Sequence, residues 1–233
     1  DGSAKRVYRN GILIGSASVS GAISQGSATH FIGSSGGGSE FFQGNIDDVR
    51  IYSRALSAAE ISELYSTNES KVGGSQETKA TDGLVGYWSF NGKDIDWTAN
   101  KAWDRSGADR HGSLVNMSTS STPVAGKVGQ ALDFPAGSEY VQIPQPVSST
   151  PFTISMWYYP NAINGSYEIL YSGNDNSDLQ LFFHASTKEL YTSIENSEIS
   201  GGFTLTSSTI LKWYNIVWTY DGIRRKVYVN GAI

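Results

Sequence analysis

Apolar and polar residues alternate along most of this chain, in short runs that end at Gly, Asn, Asp or Ser. Alternation with a period of two, over runs of about one strand length, predicts antiparallel strands. The best-defined runs cover residues 5–8, 41–51, 86–90, 140–143, 152–159, 179–184, 190–194, 213–220 and 226–229. We therefore predict an all-β protein folded as an antiparallel β-sandwich.

One segment departs from this alternation. Ser57 and Glu60 have the spacing of a helix capping box, and Leu56 and Ile61 are placed to pack across the start of the helix. The pattern predicts one short helix near 57–65. Residues 67–82 follow it with one apolar side chain larger than Ala, among many polar and Gly residues. This composition is typical of a linker.

Composition and charge exclude several classes of protein. The chain has 233 residues, of which 39% are hydrophobic and only 17% charged, which excludes a coiled coil and a disordered tail. The net charge of -5 argues against nucleic-acid binding. The chain has no Cys and only three widely spaced His, so no disulfide framework or common zinc motif is present. No apolar run reaches the length of a membrane span, and we expect no membrane insertion.

The two ends of the sequence carry nearly the same segment. Residues 1–13, DGSAKRVYRNGIL, and residues 221–233, DGIRRKVYVNGAI, align without a gap and share Asp, Gly, Val, Tyr, Asn and Gly at the same positions. Such self-similarity indicates an internal repeat. We expect residues 1–66 to come from the end of one repeat and residues 83–233 from the beginning of the next, with 67–82 as the linker between them.

Several motifs together resemble laminin-G-like domains of the concanavalin A-like jelly-roll superfamily. They are GLVGYWSFNG at 83–92, DRSGADRHGSL at 104–114, PFTISMWYYP at 151–160, WYNIVWTYDG at 213–222 and GNIDDVRIYSRALSAAEISELY at 44–65. The family places the last of these motifs after the VNG hairpin, whereas here it comes first. The resemblance implies a jelly-roll sandwich in which the last third of the family's domain comes before the first two-thirds in the sequence.

Two arrangements would complete such a sandwich. Residues 1–66 can complete 83–233 within one chain, as in a circular permutant. Alternatively, residues 1–65 of one molecule complete the sandwich of the next, which gives head-to-tail self-association. The linker is long enough for both arrangements.

The sequence shows no catalytic constellation. Glycosidases of this superfamily carry carboxylates at alternate positions of one strand, in an E-x-D-x-E type pattern, and no such pattern occurs here. A nucleophile elbow and a phosphate-binding loop are also absent from the sequence. We predict that the protein is not an enzyme.

The resemblance implies a calcium site. In the family, the loop that begins here at Asp104 lies near the strand of the Asp-Asp-Val-Arg motif, so Asp104, Asn91 and Asp48 are candidate ligands of one ion. Arg110 stands in that loop where the family has a small or amide residue, and it would bring a cation to the metal position. A purely structural turn is the alternative. Within the motif, Asp47 and Asp48 are expected to face opposite sides of their strand.

Two regions are candidates for ligand binding. The loop SGNDNSDLQ clusters Asp175, Asn176 and Asp178 between two strands, where they would bind sugar hydroxyls or calcium; a solvated hairpin tip is the alternative. Trp97 and Trp103 lie in a loop region where an indole can stack on a sugar ring, or can anchor the loop to the core.

The resemblance and the loop composition together favour one function over two others. We expect a carbohydrate-binding or adhesive module of a secreted or bacterial cell-surface repeat protein, with a glycan as partner and calcium as a possible cofactor. The first alternative is a structural repeat that forms a stalk or filament by strand complementation. The second is an accessory module of a glycan-degrading enzyme.

Overall fold

A computed structural model describes residues 5–9, 12–17, 29–38, 40–70, 81–119, 123–135, 137–146, 151–162, 167–173, 179–194 and 197–231. The helical elements are α1 (Ala58–Ser70) and a short 3-10 helix (Gly92–Asp94). The strands are β1 (Lys5–Arg9), β2 (Ile12–Ala17), β3 (Thr29–Ile32), β4 (Gly44–Tyr52), β5 (Leu84–Trp88), β6 (Ile95–Asp96), β7 (Lys101–Ala102), β8 (Gly112–Val115), β9 (Pro123–Ala125), β10 (Gln130–Phe134), β11 (Tyr140–Pro144), β12 (Phe152–Pro160), β13 (Glu168–Ser172), β14 (Leu179–Phe183), β15 (Glu189–Ile194), β16 (Ser197–Thr204), β17 (Tyr214–Tyr220) and β18 (Arg225–Val229).

Most strands belong to two large antiparallel sheets. The seven-stranded sheet has the order β18-β17-β12-β4-β10-β9, with β5 also paired to β4. The nine-stranded sheet has the order β16-β15-β14-β13-β3-β11-β8-β7-β6. Strands β1 and β2 pair with each other as a hairpin, and β1 packs against β18 and β16. The prediction of an all-β, antiparallel fold is confirmed.

The main hydrophobic core contains side chains from both large sheets. The seven-stranded sheet contributes Trp88, Ile154 and Trp218, and the nine-stranded sheet contributes Leu181 and Phe183. All five side chains are buried. Two sheets that share one apolar core form a β-sandwich, in agreement with the prediction from alternation.

Helix α1 covers the other face of the seven-stranded sheet. A second, smaller apolar cluster joins this helix to the sheet. Its buried members are Tyr52, Leu56, Ile61, Leu64, Val217 and Tyr228. Since Tyr52, Val217 and Tyr228 lie on β4, β17 and β18, the helix spans several strands of the sheet.

The predicted start of α1 is confirmed, but the predicted end is wrong. Glu60 accepts a hydrogen bond from the Ser57 backbone N–H at 2.8 Å, and the Glu60 N–H donates to Ser57 Oγ at 3.3 Å, as in a capping box. The helix was expected to end near Tyr65, yet it continues to Ser70. Residues 67–70 contain no Gly or Pro to stop it.

Replacing Ser57 with Ala is expected to lower the free energy of unfolding by about 1 kcal/mol, because the first turn of α1 loses its side-chain cap. Chemical denaturation measures the change. Ser66→Ala, near the other end of the same helix, is the matched control and should have an effect of less than about 0.5 kcal/mol. Equal losses in the two variants would contradict a capping role for Ser57.

Strand β4 connects the early and late parts of the chain. It pairs with β12 on one side and with β10 and β5 on the other. Residues from the segment before 70 and from the segment after 81 therefore share the same sheet. The assignment of these segments to successive repeats stays a prediction. Among the described residues, no helix combines the length and the apolar character needed to cross a membrane.

Candidate ligand-binding surface

Asp104 holds the loop that follows β7. Its Oδ1 accepts hydrogen bonds from the backbone N–H of Tyr87 at 2.9 Å and of Ser106 at 2.8 Å. Its Oδ2 accepts from Ser106 Oγ at 2.9 Å and from the Arg110 backbone N–H at 2.9 Å. The carboxylate is buried and fastens the loop to β5. Both oxygens are therefore already engaged by donors of the protein.

The other two predicted calcium ligands also have protein partners. Asn91 Oδ1 accepts a hydrogen bond from the Gln130 backbone N–H at 2.9 Å. Asp48 is buried and forms an ion pair with Arg50, with 3.0 Å between Oδ2 and the guanidinium nitrogen. Calcium prefers oxygen ligands that converge on one point. In the part of the chain that the structure describes, no three His, Cys, Asp or Glu side chains form such a cluster.

These contacts fit a structural turn better than a metal site. The backbone N–H of Arg110 donates to Asp104, and the Arg110 guanidinium donates to the carbonyl oxygens of Val85 at 3.0 Å and Gln145 at 3.2 Å. Arg110 is thus part of the loop's own hydrogen bonding. The calcium site stays a prediction.

Strand β4 contains a bulge at Asp47 and Asp48, the two residues that were expected to face opposite sides. The pairing with β12 shifts register between Ser155 and Trp157, and Asp48 has a positive φ of 52°. An extra residue at a bulge interrupts the alternation of a strand. Both acidic side chains are buried.

Asp47 is the more strongly perturbed of the two acidic residues. Its Oδ2 accepts a hydrogen bond from the Val128 backbone N–H at 2.9 Å, whereas its buried Oδ1 has no hydrogen-bond partner among the described residues. Burial raises the pKa of Asp47 to about 8, and the neighbouring Asp48 adds to the increase. At neutral pH this carboxyl group is therefore mostly protonated.

Trp97 and Trp103 lie near β6 and β7, at one end of the nine-stranded sheet. Trp97 is half-buried and packs against the main core, which favours the anchoring role. Trp103 is also half-buried; its ring meets the His111 ring edge-on at 4.6 Å, and Lys101 Nζ lies 4.8 Å from its centre. The cation already covers part of the indole.

The third predicted ligand group belongs to the loop SGNDNSDLQ. Asp175, Asn176 and Asp178 lie outside the described residues. The ends of their loop are described, and they close a hairpin in which the Gly173 N–H donates to the Leu179 carbonyl at 2.7 Å. The loop therefore joins β13 to β14, in the middle of the nine-stranded sheet.

The structure reveals an aromatic group that the sequence analysis missed. In β14, Leu181 and Phe183 enter the main core, so Phe182 between them faces outward; in β15, Leu190 enters the core, so Tyr191 faces outward. These outward rings stand with two neighbouring rings on the face of the nine-stranded sheet opposite the core. We name this group the outer aromatic cluster; its members are Tyr167, Phe182, His184 and Tyr191.

The rings of the outer aromatic cluster contact one another closely. Phe182 and Tyr191 stack with 5.9 Å between ring centres and 22° between planes. His184 meets Tyr167 edge-on at 4.9 Å and Tyr191 at 5.6 Å. Phe182 is buried, whereas Tyr167, His184 and Tyr191 are partly exposed. The cluster is thus a supported aromatic surface with a solvent-facing side.

Polar groups surround these rings. The Tyr167 hydroxyl and His184 Nε2 share a hydrogen bond of 3.0 Å, and the Tyr191 hydroxyl donates to Glu189 Oε2 at 3.4 Å. Glu189 also accepts a hydrogen bond from Ser200 Oγ. Burial raises the pKa of Tyr191, and the Glu189 carboxylate raises it further. The Tyr191 hydroxyl therefore keeps its proton at neutral pH.

Comparison with protein families gave a match over two parts of the chain. A laminin G family model, described as the concanavalin A-like lectin/glucanases superfamily, matches residues 1–62 and 135–232, which together are more than half of the chain. The chain belongs to this superfamily. Neither the curated proteins nor the solved structures gave a match.

Some candidate residues of this laminin G-like chain lie within the matched ranges, and others lie outside them. The outer aromatic cluster and Glu189 fall within 135–232, and Asp48 falls within 1–62. Trp97, Trp103, Asp104 and Asn91 lie outside both ranges. Membership of a superfamily of lectins and glucanases supports a carbohydrate-binding type of module.

Proposed function

We propose that this chain is a non-catalytic carbohydrate-binding module whose ligand lies on the outer aromatic cluster. The most direct support is that partly exposed aromatic rings and a carboxylate lie together on one outward face of the sheet. Tyr167, His184 and Tyr191 supply the rings, and Glu189 supplies the carboxylate.

This combination matches the chemistry of a sugar. A pyranose ring has a face of C–H groups that packs on a flat aromatic ring, and hydroxyl groups at its edge that need hydrogen-bond partners. Tyr and His rings present an apolar surface together with a polar atom. A carboxylate accepts strong hydrogen bonds from hydroxyl groups. Glu189 beside Tyr191 thus offers both contacts to one residue of a polysaccharide.

The proposal includes an extracellular or cell-surface location and an adhesive role. The class of ligand supports this location, because polysaccharides are displayed on cell surfaces and in secreted matrices.

Calcium binding is a separate proposal. It concerns the loop of Asp104 or the loop that joins β13 to β14, and it is tested by repeating every binding measurement in chelator.

Tyr191→Ala is expected to weaken glycan binding by about tenfold or more, because the ligand loses an aromatic surface and the hydroxyl that is oriented by Glu189. Binding is first sought on a panel of polysaccharides and then measured by titration calorimetry. Tyr191→Phe keeps the ring and removes only the hydroxyl, so it should lose less affinity. Trp103→Ala is the control at the other end of the same sheet and should bind as the unchanged protein does.

Three outcomes would contradict the proposal. Loss of binding in Trp103→Ala but not in Tyr191→Ala would move the ligand to the β6 and β7 region. Absence of binding to every glycan of the panel would overturn the binding function itself. Release of new reducing ends from a bound polysaccharide would show hydrolysis, in place of binding alone.

A further inference from the structure

The segment that occurs twice in the sequence forms an edge strand of the sandwich in its second copy. In residues 221–231, strand β18 pairs with β17, where Val227 lies opposite Trp218 and Lys226 lies opposite Thr219. The first copy, displaced by 220 residues, includes strand β1. The first copy and residues 221–232 of the second lie within the ranges matched by the family model.

The residues common to the two copies are those that hold the second copy in place. Asp221 Oδ1 accepts hydrogen bonds from the backbone N–H of Ile223 at 2.9 Å and of Arg224 at 2.6 Å, which forms the turn between β17 and β18. Gly222 within this turn has a φ of 94°. The first copy has Asp1 and Gly2 at the corresponding positions. The first copy therefore carries the same turn-forming residue types in its sequence.

The same correspondence holds for the strand and for the turn after it. Val227 is buried in the main core, and Tyr228 is buried in the cluster beneath α1. Asn230 Oδ1 accepts a hydrogen bond from the Asn215 backbone N–H at 2.9 Å. The first copy has Val7, Tyr8 and Asn10 at these three positions.

Two inward positions distinguish the copies. Arg225 is buried, and its guanidinium donates to the carbonyl oxygens of Thr192, at 3.0 Å, and Ser197, both in the nine-stranded sheet. The first copy has Lys5 at this position, and Arg9 where Val229 packs against the core. A lysine lacks the planar fork of arginine, and a charged residue in place of Val229 packs less well. The second copy is therefore the preferred occupant, and the first is a weaker replacement.

We propose that β1 of one molecule can occupy the place of β18 beside β17 in a second molecule of the same chain. The chain then carries both an acceptor edge and a second strand that fits it, so a molecule whose β18 has left the edge can bind β1 of another molecule there. The surface is the β17 edge of the seven-stranded sheet, and the partner is a second copy of this chain. The proposal does not depend on carbohydrate binding.

The first test weakens one copy at a time. Val227→Asp places a carboxylate in the core and disfavours β18 at the β17 edge. Val7→Asp is the matched control in the first copy, and the double variant disables both. Val227→Asp should remain folded, with a mass in solution of at least two chains. Val7→Asp should remain folded as a single chain, and the double variant should lose its cooperative unfolding transition.

The second test reports the exchanged pairing directly. Because the chain has no Cys, the introduced cysteines are the only thiols in the mixture, and the mass of a disulfide-linked dimer tells the mixed pair from a pair of identical chains. Thr219 lies opposite Lys226, and the equivalent of Lys226 in the first copy is Arg6. A chain with Thr219→Cys and Val227→Asp, mixed with a chain carrying Arg6→Cys, should form a disulfide-linked dimer on oxidation. Such a bond requires the two cysteines to be direct neighbours.

Each remaining outcome overturns the proposal. If Val227→Asp keeps the mass of one chain and stays folded, β1 replaces β18 within the same molecule and no second copy is recruited. If it unfolds as completely as the double variant, the first copy cannot replace the second at all. The variant Thr219→Cys/Lys226→Cys should form its disulfide within one chain. If the mixed disulfide is absent under the conditions in which this control disulfide forms, the first copy does not replace the second.

Discussion

Replacing Asp104 with Ala is expected to lower the free energy of unfolding by about 3–4 kcal/mol in the presence of chelator. The buried carboxylate accepts backbone hydrogen bonds from Tyr87, Ser106 and Arg110. Its removal leaves these N–H groups without their acceptor, and each buried donor left unsatisfied costs about 1–3 kcal/mol. Some of the cost is offset because the loop lies near the surface and water can reach part of it.

Asp104→Asn is the matched variant. Its amide oxygen still accepts hydrogen bonds, but its NH₂ group cannot replace the second carboxylate oxygen, so we expect about half the loss. Denaturation in chelator isolates the structural role, and the same measurement with calcium tests the predicted metal site. A loss below about 1 kcal/mol in chelator, together with a calcium-dependent melting shift that disappears in Asp104→Ala, would identify Asp104 as a metal ligand instead.

The free energy of unfolding is expected to fall by about 2 kcal/mol as pH rises from 6.5 to 9, because of Asp47. Burial raises the pKa of Asp47 to about 8, so the folded protein holds a proton that the unfolded chain has already released. Stability therefore decreases with pH until the folded-state pKa has been passed. Asp47→Asn keeps the shape of the protonated side chain and should remove this decrease.

His30 produces the opposite slope at lower pH. It is buried beside the Tyr171 hydroxyl, which is hydrogen-bonded to its Nδ1, and burial lowers the pKa of His30 to about 4. Between pH 4 and 6.5 the unfolded chain binds a proton at His30 that the folded protein does not, so stability rises with pH. Asp47 lowers stability over the same range, and the two contributions nearly cancel in the unchanged protein.

Single variants separate the two groups. Asp47→Asn should show a rise of about 3 kcal/mol from pH 4 to 6.5 and little change above it, whereas His30→Gln should show a continuous fall from pH 4 to 8. Urea denaturation at several pH values measures both profiles. If the profile of Asp47→Asn above pH 6.5 were the same as that of the unchanged protein, another group would be responsible for the decrease.

The sequence predicted the sheet architecture well because alternation and turn residues are local signals. Strands β12, β15 and β18 begin and end within one residue of their predicted bounds. The helix start was predictable because a capping box is defined by residues three positions apart. Short strands were harder to predict: β3 has only four residues, and its pairing with β11 and β13 depends on distant parts of the chain.

The candidate surface was less predictable for a related reason. Phe182 and Phe183 are adjacent in β14, so alternation requires that only one of them enters the core. That signal marks an outward aromatic residue, but it does not show that Tyr167, His184 and Tyr191 gather around it. Their meeting depends on the pairing of β14 with β13 and β15. In β4, the bulge at Asp48 shifts the strand in a way that no local pattern indicates.

The central position of β4 has a consequence for the speed of folding. Thr153 Oγ1 donates to the Arg54 carbonyl across 99 residues of chain, and β4 pairs with β12 over a similar separation. Contacts between distant residues raise the relative contact order, and proteins with high contact order fold slowly because long loops must close before the contacts form. Until β4 docks, both β12 and β10 expose an open edge to other molecules. The folding of this sandwich is therefore expected to be slow and sensitive to protein concentration.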